Sequence, residues 1–570
     1  MKAIWAWCRR HLGVLLSVFA TGVYLLTMDR SASWWDCGEF IATGWQLGVG
    51  HPSGAPTYQL VQHVVMLLCF GNTMLVAPLS NALSAVCGGV TVGLLYSTIR
   101  HLGGKPLGAL AGALCYLFCD TAWFSAVESE VYSMAMLFCS LDLWMALRWR
   151  RTGNARLLVL LGLLLGLGIG VHLMTLLVAP AVALVIISHY RRTGGTSRGG
   201  IAKLLVWGLL FFLLGLTPYA IIPLRAAADP PINEMNGSFG AYLRREQYEK
   251  APLYPRMWRE RDSENWDEWN LGRTDFVGNT VYYVTYQLGY MYGRYILNNF
   301  AGRINHKSQR TVLYILPLLL ALWGLWRHRK QNRLDYWVVM LVFLFGGVLL
   351  NLYLNHPCYE PRSRDYAYVL SFYAIAIWIG IGADDAKRKM DDGIRHRSSH
   401  ILRLASYLLL LLAPLTLAVG NWSDHDRSHC HSVHDIATNH LESCDEGAVL
   451  ITLGDNDTFP LWYLQQVEGK RTDISIYNVG LTGWEEVFRL IESADRQPVY
   501  FTHYFQQRYA YLFPGRLRCE GFCWRLLPTG ENDLTPRVHD GIEWHITPNE
   551  YIDPVSRKFL HIWEEYKASL

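Results

Sequence analysis

The chain is 570 residues long, 51% hydrophobic, 17% charged and formally +4 at pH 7. A chain this apolar is not an ordinary soluble enzyme, and a net charge this small for the length makes no case for nucleic acid. The placement of the basic residues says more than their sum.

In chain order, apolar stretches at 11–28, 79–99, 107–123, 131–147, 156–171, 173–188, 203–223, 311–327, 335–354, 366–383 and 401–419 are long enough, or nearly so, to cross a bilayer. They predict about eleven membrane helices. A cleaved signal peptide is the alternative for the first, since Lys2, Arg9 and Arg10 precede an apolar core and Ser31-Ala32-Ser33 follows it. A retained span suits the parity of the rest. The run at 58–70 is too short to span and reads as interfacial or re-entrant. Gly166, Gly168, Gly170 and His172 interrupt 156–188, which predicts two short helices meeting at His172; one long tilted helix is the competing reading.

Short positively charged loops stay in the cytoplasm. With eleven spans, six basic runs fall on that side: Arg9-Arg10, Arg100 to Lys105, Arg148 to Arg151, Arg191-Arg192 with Arg198, Arg327 to Lys330, and Lys387 through Arg397. The N-terminus is then cytoplasmic. Loops 29–78, 124–130, 224–310 and 355–365 and the segment 421–570 fall on the other side, outside a bacterial inner membrane or in a secretory lumen. A membrane domain over 1–420 and an extracytoplasmic domain over 421–570 follow. In the latter, strand-like 448–453, 473–478 and 498–503 alternate with helical 456–467 and 483–494, which predicts a small α/β unit. Asp455 or Asp457 in "LGDNDTFPLWY" reads as a helix cap, with a ligand or partner site as the alternative.

Cys430, Cys444, Cys519 and Cys523 lie in the outer domain, where an oxidising compartment would permit two disulfides in any of three connectivities. A zinc site from Cys519, Cys523 and nearby histidines is less favoured, because no paired C-x-x-C spacing supports it. No P-loop, H-E-x-x-H, G-x-S-x-G or dinucleotide fingerprint is present.

The outer loops gather polar residues beside hydrocarbon: Asp36, Glu39 and His51 in the first, Glu128 and Glu130 in the next, His172 at a helix junction, Arg225 just past a span, and Glu360, Arg362, Arg364 and Asp365 in "NHPCYEPRSRDYAY". Each has a structural explanation alone, as a cap, a solvated loop residue or an interfacial snorkeller. Their convergence on one side points to pairing or function. Such a set suits a sugar carried on a polyprenyl phosphate. A carboxylate, Asp36 or Glu39, would take the acceptor proton, and Arg364, Arg362 or Arg225 would hold the departing phosphate. Trp258, Trp266, Trp269 and the tyrosines from Tyr282 to Tyr295 form either an interfacial belt or a platform for sugar or peptide.

"DCGEFIATGWQLGVGHPSGAP", "DTAWFSAVESEVYSM", "GLGIGVHL", "PRSRDYAYV" and "GDNDTFPLWY…VEGKRTDISIYN" together resemble a family of bacterial multispanning proteins. That family is similar to a vertebrate endoplasmic-reticulum protein O-mannosyltransferase that modifies receptor ectodomains. The resemblance covers nearly the whole chain and implies a mainly α, polytopic GT-C glycosyltransferase fold. It also implies a polyprenyl-phosphate sugar donor and an acidic first-loop residue that serves the acceptor. By motif, Asp36 and Glu39 match the acidic pair, His51 the histidine of H-P-x-G-x-P, and Arg364 the arginine before Asp-Tyr. Two departures stand out: many bacterial members continue into a longer soluble region, and Ser363 stands where a glutamate is expected.

The resulting expectation is an inverting protein O-glycosyltransferase of a bacterial inner membrane, moving a mannose-like sugar to Ser or Thr of exported proteins without a metal or other cofactor. Asp36 and Glu39 would be catalytic. His51, His172, Arg225, Arg362 and Arg364 would bind donor phosphate or sugar, and Glu128, Glu130 and Asp365 would orient or hold the acceptor. Its partners would be the bilayer, the lipid-linked sugar and exported proteins, with no nucleic acid. A transporter or lipid-linked sugar flippase is the alternative, expected to place ionisable groups near the midplane. Here the central spans are nearly free of charge apart from Asp142.

Overall fold

The computed structural model describes residues 2–193, 198–304, 311–358, 362–394, 400–537 and 544. Glu360 lies outside them, as do the side chains of Arg9, Arg10, Arg198 and Arg397.

Each of the eleven apolar stretches contains helix, although 311–327 opens with three residues of strand before its helix, Leu316–Gln331. Six helices are individually long and apolar enough to cross a bilayer: Thr73–His101, Val131–Thr152, Leu173–Arg192, Lys203–Ala226, Arg333–Leu354 and Asp365–Asp392. A seventh span is divided by a 65° bend between Pro106–Leu117 and Asp120–Ala126, while His11–Thr27 and Arg156–Ile169 are shorter apolar helices. The 156–188 stretch is two helices, Arg156–Ile169 and Ala179–Thr193, joined through His172 and a 3-10 turn at Leu173–Val178. The run at 58–70 forms a short helix, Pro56–Met66, and exposes Val64, Leu67, Leu68 and Phe70, as suits a helix lying at an interface.

The ends of the bundle differ chemically. At one end Arg150 pairs with Asp335 at 2.5 Å, Arg151 donates to the His101 carbonyl at 2.5 Å, and Arg327 and Arg388 share Asp385 at 2.9 and 2.6 Å. At the other end the sequence-distant loops are stitched by backbone bonds: Asp29 to Val127, Arg427 to Thr27, Thr57 to Gly170, and Val49 to Ile232. These bonds satisfy polar groups that would otherwise be stranded near hydrocarbon.

Beyond the last helix, His400–His425, the chain forms the α/β unit. A small antiparallel pair, β1 (Gly302–Ile304) and β2 (Thr311–Leu313), precedes it in sequence. Its five-stranded sheet runs in the order β4-β3-β5-β7-β6, with β3 at Val449–Thr452, β4 at Ser475–Asn478, β5 at Val499–Thr502, β6 at Leu517–Glu520 and β7 at Cys523–Leu526. Strand β3 is parallel to both β4 and β5, and β7 returns antiparallel to β5. All four residues of β3 and of β5 are buried, consistent with their unbroken apolar runs. Neither Asp455 nor Asp457 caps the helix Asp455–Tyr463: its N-cap is Gly454, and Asp457 instead accepts from the Leu453 amide at 2.8 Å. The outer-domain cysteines are free thiols, with the Cys444 and Cys523 Sγ atoms 4.0 Å apart.

The α/β unit shares a core with the first outer loop. Cys37, Ile41, Ala42 and Met66 pack in one cluster with Leu450, Leu461, Leu464 and Tyr500. A Cβ at Gly38 would lie 2.5 Å from the Phe459 carbonyl oxygen, so the loop helix Cys37–Gln46 and the helix Asp455–Tyr463 touch through backbone. Gly38→Val is expected to destabilise this contact by about 1–3 kcal/mol. The measurements are a melting temperature and protease sensitivity at 426–431; a wild-type result in both would mean the backbones separate without cost.

Candidate functional site

The helix Cys37–Gln46 begins with Asp36 as its N-cap, yet the Asp36 side chain caps nothing. It turns instead toward Arg362, whose guanidinium lies 3.7 Å from the carboxylate. Arg362 lies over two rings, 4.4 Å from the Trp35 centroid and 4.7 Å from that of Tyr366. Tyr366 packs on Tyr132 at 4.5 Å, and Tyr132 meets His172 edge-on at 5.6 Å. Arg364 joins the same stack, donating to the Tyr366 hydroxyl at 2.8 Å, while its backbone N–H donates to Tyr295 at 3.0 Å. Arg362, Arg364 and His172 are thus linked through aromatic rings.

Glu39 lies one turn further along and has a different environment. Its side chain is 0% exposed and receives both the His51 backbone N–H and the His51 Nδ1, each at 2.6 Å. Gly50 makes this possible, because a Cβ there would sit 2.6 Å from the Glu39 carboxylate. Burial opposes the charge on His51, but Glu39, Asp36 and Glu234 outweigh it and raise its pKa to about 10. His51 is therefore an imidazolium at neutral pH, and 26% of its side chain is exposed.

Behind Glu39 lies Glu234, a residue that no pattern in the sequence singles out. Its segment is drawn in when the Glu234 N–H bonds the Val49 carbonyl at 2.9 Å. Burial, then the neighbouring Glu39, raises its pKa to about 9, so it keeps its proton at neutral pH. Glu130 is 2% exposed, and among the described residues neither carboxylate oxygen has a hydrogen-bond partner. Burial and the adjacent Asp36 push its pKa far up, against the pull of Arg362.

Asp455 also converges on the site, from the α/β unit. Crowding by protein, then Asp36 and Glu39, raises its pKa to about 6, while His51 and Arg362 pull it down. Its neighbour Asn456 accepts the Trp35 N–H at 2.6 Å.

Three expected site residues have other partners. Arg225 donates to the Leu47 and Gln46 carbonyls at 2.7 and 3.1 Å, gripping the end of the loop helix opposite Asp36. Glu128 accepts from Arg427 at 2.5 Å. Asp365 accepts from the Thr121 hydroxyl, itself bonded by Asn299 at 2.9 Å. These contacts brace the loops around the site. Among the described residues, no three His, Cys, Asp or Glu side chains are grouped so as to hold a metal ion.

Residues 36–194 match the Protein O-mannosyl-transferase TMEM260 N-terminal domain, and 433–485 match the TMEM260-associated domain 2. The first region holds Asp36, Glu39, His51, Glu130 and His172; the second holds Asp455. The chain is similar to the protein O-mannosyl-transferase tmem260 of Dictyostelium discoideum, at 23% identity over 86% of this chain and 59% of that protein. It is similar to the Mus musculus TMEM260 protein at 24% identity, over 82% and 63% respectively. It spans about six-tenths of the length of these relatives. Among solved structures, ArnT from Cupriavidus metallidurans bound to undecaprenyl phosphate superposes with a TM-score of 0.53 at 12% identity, covering 90% of this chain and 97% of that one. An Archaeoglobus fulgidus oligosaccharyltransferase gives 0.50 at 10% identity, covering 89% and 71%. The fold is that of a polytopic, mainly α, GT-C-like membrane protein.

Proposed function

We propose that this chain, similar over most of its length to protein O-mannosyl-transferases, is an inverting glycosyltransferase. It moves a sugar, mannose by analogy with those relatives, from a polyprenyl phosphate to Ser or Thr of exported proteins. The observation that carries this reading is the Asp36–Arg362 pair, a partly open carboxylate 3.7 Å from a guanidinium lying over two rings. Asp36 accepts the acceptor hydroxyl proton as the hydroxyl oxygen bonds to the sugar anomeric carbon. The bond from that carbon to the phosphate oxygen breaks on the opposite face, and its electron pair leaves with the polyprenyl phosphate. Arg362 and the His51 imidazolium face the departing charge. Glu39 acts through His51, holding its ring in place and charged, with protonated Glu234 behind. Arg364 and His172 steady the aromatic stack that carries Arg362, and Glu130 borders Asp36 on its buried side.

Basic residues gather at the opposite end of the bundle, which supports a cytoplasmic N-terminus and a site on the non-cytoplasmic surface, periplasmic in a bacterial cell. The donor tail would stay in lipid while acceptors arrive from water. The test is incubation of purified protein in detergent with a short-chain polyprenyl-phosphate mannose and candidate exported proteins, read as intact acceptor mass. Addition of one hexose, with loss of the donor, is expected. An intact donor and unmodified acceptors across the candidate set would overturn the reading.

A further inference from the structure

The first three residues of the helix after β3, Asp455, Asn456 and Asp457, are polar, and two of them are committed to structure. Asn456 accepts from Trp35 at 2.6 Å, and Asp457 accepts from Leu453 at 2.8 Å and from the Thr502 hydroxyl. Asp455 is exposed, and no described neighbour hydrogen-bonds its carboxylate. The position is also one at which α/β sheets bind ligands: the carboxyl end of a strand whose parallel neighbours lie on both sides, here β4 and β5 around β3.

This end of the helix is fixed against the first loop by the Asn456 bond and by the backbone contact of Phe459 with Gly38. Asp455 is therefore held in place relative to Asp36. Its surroundings are rich in carboxyl groups: Asp36, Glu39 and Glu234 against the cations Arg362 and His51. Glu130, near Asp36, has two buried oxygens without partners among the described residues. A further carboxylate would repel a donor phosphate but would welcome groups that offer hydrogens. Asp455 also comes from the extramembrane unit, the side from which a protein acceptor approaches.

We infer that the N-terminal end of the helix Asp455–Tyr463 walls the acceptor side of the site and that Asp455 is a positioning residue, accepting hydrogen bonds from the N–H and hydroxyl groups of the acceptor polypeptide next to the modified residue. The inference rests on the transferase reading above and names the acceptor subsite within it.

The experiment compares full-length wild type, Asp455→Asn and Asp455→Glu, varying donor and acceptor separately. Asp455→Asn is expected to raise acceptor KM about tenfold, the loss of one charged hydrogen bond, while donor KM stays within about twofold. Asp455→Glu should recover most of the acceptor affinity. An unchanged acceptor KM in Asp455→Asn, with wild type transferring sugar normally, overturns this inference alone. So does an equal rise in both KM values, which would make Asp455 a general support of the site. A wild type that transfers no sugar removes the transferase reading and this inference with it.

Discussion

Asp36→Asn is expected to lower the turnover number for sugar transfer by about two to four orders of magnitude, the range for loss of a positioned general base. Folding should be unaffected, because the Asp36 side chain makes no capping hydrogen bond and its contact with Arg362 is long, at 3.7 Å. The measurement is hexose transfer by acceptor mass, paired with a melting temperature. A variant that turns over like wild type would remove Asp36 as the base. A variant that fails to fold would show its role to be structural.

Glu39→Gln should produce a different defect. The buried carboxylate holds the His51 ring and backbone N–H, so its loss should cost about 1.5–3 kcal/mol of stability, as for a hydrogen bond to a charged group. The pH dependence follows from the direction of the shift. In the folded protein the His51 pKa is raised from 6.5 to about 10, so this contribution is complete below pH 6.5 and disappears as pH rises through 10. Asp36, Glu39 and Glu234 favour the charged ring, and burial opposes it. With Glu39 neutralised, the ring should lose its proton nearer neutrality, and donor kcat/KM should then fall across pH 7–8 where wild type stays flat. Matching pH profiles and melting temperatures for the two proteins would refute the positioning role of Glu39.

The sequence revealed what depends on local pattern. Apolar length marked where the membrane helices lie, six of them individually long enough to span, and the runs at 448–453, 473–478 and 498–503 foretold β3, β4 and β5 within two residues. Strands β6 and β7 were not foreseen, because Arg518 points inward and is buried against Glu520 and Glu531 at 2.6 Å, which breaks the expected alternation. The acids of the first loop could be picked out by their closeness to lipid, but not their division of labour. That division depends on Gly50, which lets His51 reach Glu39, and on Arg362, more than three hundred positions away. Arg225 looked like a phosphate clamp because it stands just past a span; only the fold shows its guanidinium committed to the Gln46 and Leu47 carbonyls. Glu234 and Asp455 reach the site through tertiary contacts that leave no periodic trace.

The hydrogen bond from Trp35 to Asn456 joins residues 421 positions apart. At about 5–20 residues per second of synthesis, roughly 20–80 s separate their emergence from the ribosome. Through that interval the nascent chain carries its acidic loop without the wall that steadies it. Completion of the site therefore has to wait for late translation, and a chain released before Phe459 would reach the membrane with its spans inserted and its first-loop acids unbraced.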